Sequence, residues 1–168
     1  MANIALAVIL IISVVTDVRS RKVLNIITLP AILTGFLFHV VTSGLDGFFF
    51  SGIGFLVGLG LLIIPFIMGG IGAGDVKLLA AIGAWKGAVF VFYATLYGAA
   101  IGGLIALFIL LKRKRLGFTI KHILFSFRFL KNRKVLGDLG ETDGTLSIPY
   151  AVPIAVGALI AFLMEVYI

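Results

Sequence analysis

The stretch Gly72-Ala73-Gly74-Asp75-Val76-Lys77-Leu78-Leu79 sets a carboxylate between a glycine-rich turn and an apolar run. Glycine lets a backbone take positive φ and lets another chain come close. Asp75 falls where a helix is expected to begin. The segment beyond it, 76–85, has Lys77 as its one charge. This is the mouth of a helix entering a nonpolar medium. The reading of the chain turns on what faces its acid.

The rest of the sequence fits such a medium. Of 168 residues, 61% are hydrophobic and 12% charged, against roughly 25% charged in soluble domains. The mean hydropathy is +1.24. One small core cannot hide that much apolar surface, so the fold class expected is all-α, a polytopic membrane bundle forming a single domain over 1–168. The net charge of +7 comes from 14 Lys and Arg against 7 Asp and Glu. In a membrane chain it reads as orientation and attraction to the lipid bilayer. No base-reading motif accompanies it, so no nucleic acid partner is expected. The absence of cysteine excludes disulfides, thiolate zinc sites and a cysteine nucleophile. His39 and His122 stand far apart and read as satisfied or interfacial side chains. Neither a metal nor a cofactor is expected. The N-terminus lacks the basic start and small-residue cleavage site of a signal peptide, so 1–15 reads as a retained span.

One crossing takes about 20 apolar helical residues. By that measure 2–16 is a first span, ending at Asp17 and followed by Arg19, Arg21 and Lys22. A second, 26–41, has Pro30 near its first turn, where a missing N–H is tolerated. The link 42–47 carries Asp46. The third span, 48–68, holds Gly52, Gly54, Gly58 and Gly60, whose spacing allows close packing and predicts a central helix. Segment 76–85 is short: as a helix it covers about 15 Å, half the hydrocarbon thickness. A break is expected at Gly87, with a fifth span over 88–111. The short helix draws the glycine turn and Asp75 towards the membrane interior, where non-helical backbone needs protein or a wet cavity around it.

Beyond Lys112-Arg113-Lys114-Arg115, the residues Ile120, Ile123, Leu124, Phe127 and Leu130 recur at helical spacing. They predict an amphipathic interfacial helix over 118–134. An exposed loop at 136–147 and a sixth span at 149–166, with Pro153 early in it, complete the chain. The basic segments 19–22 and 112–134 are expected to face the cytoplasm, which leaves both termini outside. Two spans then separate Asp17 from Asp75, so both acids emerge on the cytoplasmic side.

Each acid alone has a structural reading. Asp75 can cap a helix, and Asp17 can pair with Arg19 or Arg21. Together they can do more. Two close carboxylates share one proton, because both cannot ionise cheaply. The ionised member activates water and the protonated one polarises a carbonyl. That is peptide hydrolysis without metal, thiol or cofactor. Titration belongs to the pair, so neither residue is assigned the base. Gly72 and Gly74 would let an extended substrate backbone run beside Asp75. Lys77 either contacts substrate or snorkels to the interface; Asn25 and Thr28 either line the site or cap the second helix. The alternative class is a membrane transporter or assembly subunit, since intramembrane acids also serve proton-coupled transport.

Asp17 with the following Arg-Ser-Arg-Lys-Val-Leu-Asn25, and the run from Gly72 through Asp75 to Gly83, resemble the type IV prepilin peptidases, GxGD-type membrane aspartyl proteases. Ser147-Ile148-Pro149-Tyr150 is similar to that family's entry into its last helix. Leu24 departs from the pattern, where proline is usual. The resemblance implies that Asp17 and Asp75 are the catalytic pair. It also implies that the substrate is a prepilin or pseudopilin, cut on the cytoplasmic side of its hydrophobic segment to remove a short basic leader. Larger relatives add N-methylation through a cytoplasmic region often carrying a cysteine-bound zinc. This chain is similar to the small peptidase-only enzymes of tight-adherence pilus systems. Archaeal preflagellin peptidases and presenilin-like proteases are the alternatives within this chemistry.

Overall fold

The computed structural model describes residues 2–20, 24–67, 71–112 and 150–167. These form four helices: α1 (Ala2–Ser20), α2 (Asn25–Ile67), α3 (Ala73–Lys112) and α4 (Ala151–Tyr167). Among the described residues the only regular structure is helical. Three segments, Ala2–Ser20, Asn25–Ile67 and Ala73–Phe108, are long and apolar enough to cross a membrane; Ala151–Met164 is apolar but shorter. Residues 1–101 with 148–168 make one compact unit and 102–147 a second. The packing below lies within the first. The amphipathic segment 118–134, the loop 136–147 and His122 lie outside the described residues.

A straight helix of the 43 residues in α2 would measure about 64 Å, twice a hydrocarbon core. It is not straight. Gly44 leaves helical geometry at φ 58°, ψ −130°, and Gly87 does the same in α3 at φ 81°, ψ 177°. Positive φ is costly for any residue with a Cβ. Each long helix is therefore two arms, 25–43 with 45–67 and 73–86 with 88–112. The break expected at Gly87 is present. The link expected over 42–47 shrinks to a single glycine, which leaves Asp46 in the first turn of the next arm, where a negative charge is favourable.

Two boundaries move. The first helix does not stop before Asp17 but runs on to Ser20, because neither glycine nor proline intervenes. Asp17 is thus a helical residue in the last turns of α1. Pro30 lies in the second turn of α2, beyond the first turn whose N–H groups are free anyway, and the helix continues through it.

The arm 73–86 is the centre of the unit. Leu78, Leu79, Ala80, Ala81, Ile82 and Ala84 are fully buried, so this short helix is covered on every side. The sequence points instead to 48–68 as central, and that expectation is corrected. Arm 45–67 buries one stripe, Gly47, Ser51, Gly54 and Gly58, while Leu45, Ile53, Leu56 and Ile64 are exposed. The stripe's use is close approach. A Cβ on Gly54 would run into the carbonyl of Gly83, and one on Gly83 into the carbonyl of Gly54. Gly60 has nothing within 4 Å of such a Cβ.

The end of arm 73–86 is held by side chains from α2. A helix leaves its last carbonyls without intrahelical donors. Ser51 Oγ donates to the carbonyl of Ala84 at 2.6 Å, and His39 Nε2 to that of Trp85 at 2.9 Å. A carbonyl only accepts, so the proton of His39 sits on Nε2. Trp85 Nε1 returns a bond to the carbonyl of Ala31 at 2.8 Å, and its ring stacks on Phe38. His39 is the satisfied side chain the sequence predicts. α1 packs against α2 and α4, and Gly157 of α4 meets the backbone of Ala94 and Gly98. Ile4, Leu33, Leu37 and Val89 are exposed, a surface suited to lipid and not to water.

Candidate active site

α1 buries Leu6, Ile9, Ser13 and Asp17, spaced three and four residues apart on one face. Asp17 continues that stripe and is only 5% exposed. Its Oδ2 accepts the backbone N–H of Ala151 at 3.0 Å. Tyr150 precedes α4, and its carbonyl accepts from Ile154. Ala151 is thus the first helical residue, with one of the free donors of a helix start. An acid from α1 caps α4, facing the positive end of its dipole. The proposed partnership with Arg19 does not form: Asp17 points inward and Arg19 is exposed. Arg21 lies outside the described residues.

Asp75 is 8% exposed and occupies the third position of α3. Its N–H donates to the carbonyl of Gly72 at 3.1 Å, and the carboxylate takes a backbone hydrogen bond from Gly72 in return. This reciprocal closure is a capping box in which glycine replaces the usual hydroxyl residue. The helix-cap reading of Asp75 is therefore correct as far as it goes. It leaves Oδ1 buried, with no partner among the described residues. Neither Gly72 nor Gly74 has positive φ. Gly72 matters for closeness: a Cβ there would lie 3.3 Å from Asp75 Oδ2. Gly74 is a half-buried helical residue of the first turn.

The two acids are brought together. Asp17 lies near enough to Asp75 for their charges to act on each other. The opposite ends of the same two helices also meet, since Lys86 Nζ donates to Asn3 Oδ1 at 3.2 Å. α1 and arm 73–86 therefore run antiparallel. From Asn3 to Asp17 is about 21 Å of helix, and from Lys86 back to Asp75 about 16 Å. Both acids sit at one end and Asn3 with Lys86 at the other.

A type IV leader peptidase family model matches residues 4–107, a stretch that includes both acids and most of the packing around them. This chain belongs to the type IV leader peptidase family. No curated protein and no solved structure matches it. Family membership gives a membrane protein with a leader-peptidase-like function.

The other residues singled out from the sequence take these positions in this family member. Lys77 Nζ donates to Asn25 Oδ1 at 2.9 Å, which ties the start of α2 to the first turns of α3. Asn25 does not cap its helix. The capping position belongs to Leu24, whose carbonyl accepts from Ile27 and Thr28 and whose side chain has no acceptor. Thr28 does not cap either; its hydroxyl is fully buried and has no partner among the described residues. Ser13 and the N–H of Ala151 were missed. Ser13 was findable, one turn before Asp17 on the same face. Ala151 was not, because a backbone donor leaves no mark in composition. Among the described residues no group of three His, Asp or Glu could hold a metal.

Proposed function

We propose that this chain is a membrane aspartyl endopeptidase that removes the short basic leader of a type IV prepilin or pseudopilin, with Asp17 and Asp75 as its catalytic pair. The observation that carries this reading is a pair of buried carboxylates, far apart in sequence, near enough for their charges to interact at one end of an antiparallel helix pair. In water each would be solvated separately; inside protein they must share protons or partners. A water between them can lose its proton to one carboxylate while the other hydrogen bonds to the scissile carbonyl. The tetrahedral intermediate then collapses with proton return to the leaving amine.

Six spans in a single membrane-embedded domain follow if each arm of α2 and α3 crosses separately. An arm of about 20 residues supports this for three of the four, and the shorter 73–86 lies inside the bundle. Positive-inside orientation puts Asp17, beside Arg19, Arg21 and Lys22, at the cytoplasmic face of the inner membrane, with both termini outside. The substrate's hydrophobic segment would lie in the same bilayer, its leader reaching the pair from the cytoplasmic side. Gly72 and Gly74 keep that approach free of side chains. Peptidase action without N-methylation is the form proposed.

Cleavage of a co-expressed prepilin in membranes tests the reading. Wild type should release the leader, and Asp17→Asn and Asp75→Asn should each cut it at least about 100-fold more slowly while reaching the membrane in normal amount. Leader removal that survives either change would sink the assignment.

A further inference from the structure

We propose that the hydroxyls of Ser13 and Thr28, together with Asp75 Oδ1, hold the attacking water beneath the aspartate pair. Hydroxyl side chains in helices usually bond back to a carbonyl one turn earlier. Thr16, Ser20, Thr34, Thr42 and Thr95 do so here. Ser51 reaches across to the neighbouring helix instead. Ser13 and Thr28 do neither. Both are fully buried, and neither oxygen has a protein partner among the described residues.

The third such atom is Asp75 Oδ1, and all three belong to one end of the unit. Ser13 lies one helical turn from Asp17 on the same buried stripe. Thr28 lies one turn into α2 from Asn25, whose amide holds Lys77, two residues beyond Asp75. Buried polar atoms without a partner are rare in native proteins. An ordered buried water takes two to four polar contacts, and these three atoms offer that number. Two hydroxyls can each donate or accept, so they orient a water whose proton leaves towards the carboxylates. Ser13 and Thr28 are on this view positioning residues: they set where the water stands and do not take its proton.

The catalytic half of this proposal rests on the aspartyl-peptidase reading; the water itself rests on three buried polar atoms without partners among the described residues. The test uses purified full-length protein in lipid nanodiscs, with Ser13→Ala, Thr28→Val and the conservative Thr28→Ser. Prepilin cleavage and thermal unfolding are measured on each. A held water predicts that Ser13→Ala and Thr28→Val lower kcat by about 10- to 100-fold at unchanged KM. Thr28→Ser, which keeps the hydroxyl, should stay within about threefold of wild type. Tm should stay level or fall in the two hydroxyl-free variants. If the hydroxyls are dry, removing them relieves a desolvation penalty and Tm rises in both; that result overturns the proposal, as does wild-type kcat in both. Should wild type itself fail to cut, the peptidase reading falls, and the Tm comparison still decides the water.

Discussion

At the scale of single residues, Asp75 shows how one side chain serves two ends. Its carboxylate closes the start of α3 through Gly72, which accounts for one oxygen and leaves the other turned into the protein. The space that permits this is the missing side chain of Gly72. Gly72→Ala puts a Cβ 3.3 Å from Oδ2, a contact the carboxylate can relieve by a small shift, so peptidase activity should fall only severalfold. Gly72→Val cannot be accommodated so cheaply and should cost about 100-fold in kcat, since a displacement near 1 Å has that effect on aligned groups. Circular dichroism should report unchanged helix content in both. The Lys77–Asn25 bond is exposed and carries little. Lys77→Met and Asn25→Leu should each change stability by less than about 1 kcal/mol, and a double-mutant cycle on Tm checks that their coupling is equally small.

At the scale of helices, glycine placement decides who packs against whom. The sequence displays four glycines in 48–68 and predicts close packing, which is correct. It does not say that Gly54 and Gly58 meet arm 73–86 while Gly60 faces open space. Gly54→Ala and Gly83→Ala force a Cβ onto a facing carbonyl and should destabilise by about 1–3 kcal/mol each, the usual range for overpacking. Gly60→Ala should be neutral or stabilise by up to about 1 kcal/mol through helix propensity. Thermal unfolding in nanodiscs separates the two classes, and equal Tm values would mean that the stripe is not the contact. Ser51→Ala removes the donor to the last-turn carbonyl of Ala84 and should cost about 1–3 kcal/mol, because that carbonyl is buried.

At the scale of the whole molecule, the orientation of the site is the open quantity, and the lack of cysteine makes it directly measurable. Single cysteines at Ser20, Ile71, Ser43 and Ala88 report on four turns of the chain. An impermeant maleimide on intact cells should label Ser43→Cys and Ala88→Cys. Ser20→Cys and Ile71→Cys should react only after the membrane is opened. If positions 20 and 71 emerge on opposite faces, the carboxylates cannot share a site, and the peptidase reading fails with them. Placement of the two acids at one end was legible as soon as the spans between them were counted. The antiparallel run of α1 and arm 73–86 agrees with that count.

What the sequence determined by itself is the medium and the punctuation. Its apolar composition required helices in lipid, because backbone groups there must bond within their own segment. Gly87 marked a break, the run around Asp75 marked a helix start, and the GAGD stretch with Asp17 carried the family. Only the tertiary structure decided which helix is central, what caps what, and which polar atoms remain unpaired. Those depend on contacts between residues such as Asp17 and Ala151, Ser51 and Ala84, or Gly54 and Gly83, which are distant in the chain. Composition and periodicity describe a segment's own faces, whereas a hydrogen bond or a backbone approach exists only once a second segment has been set against it.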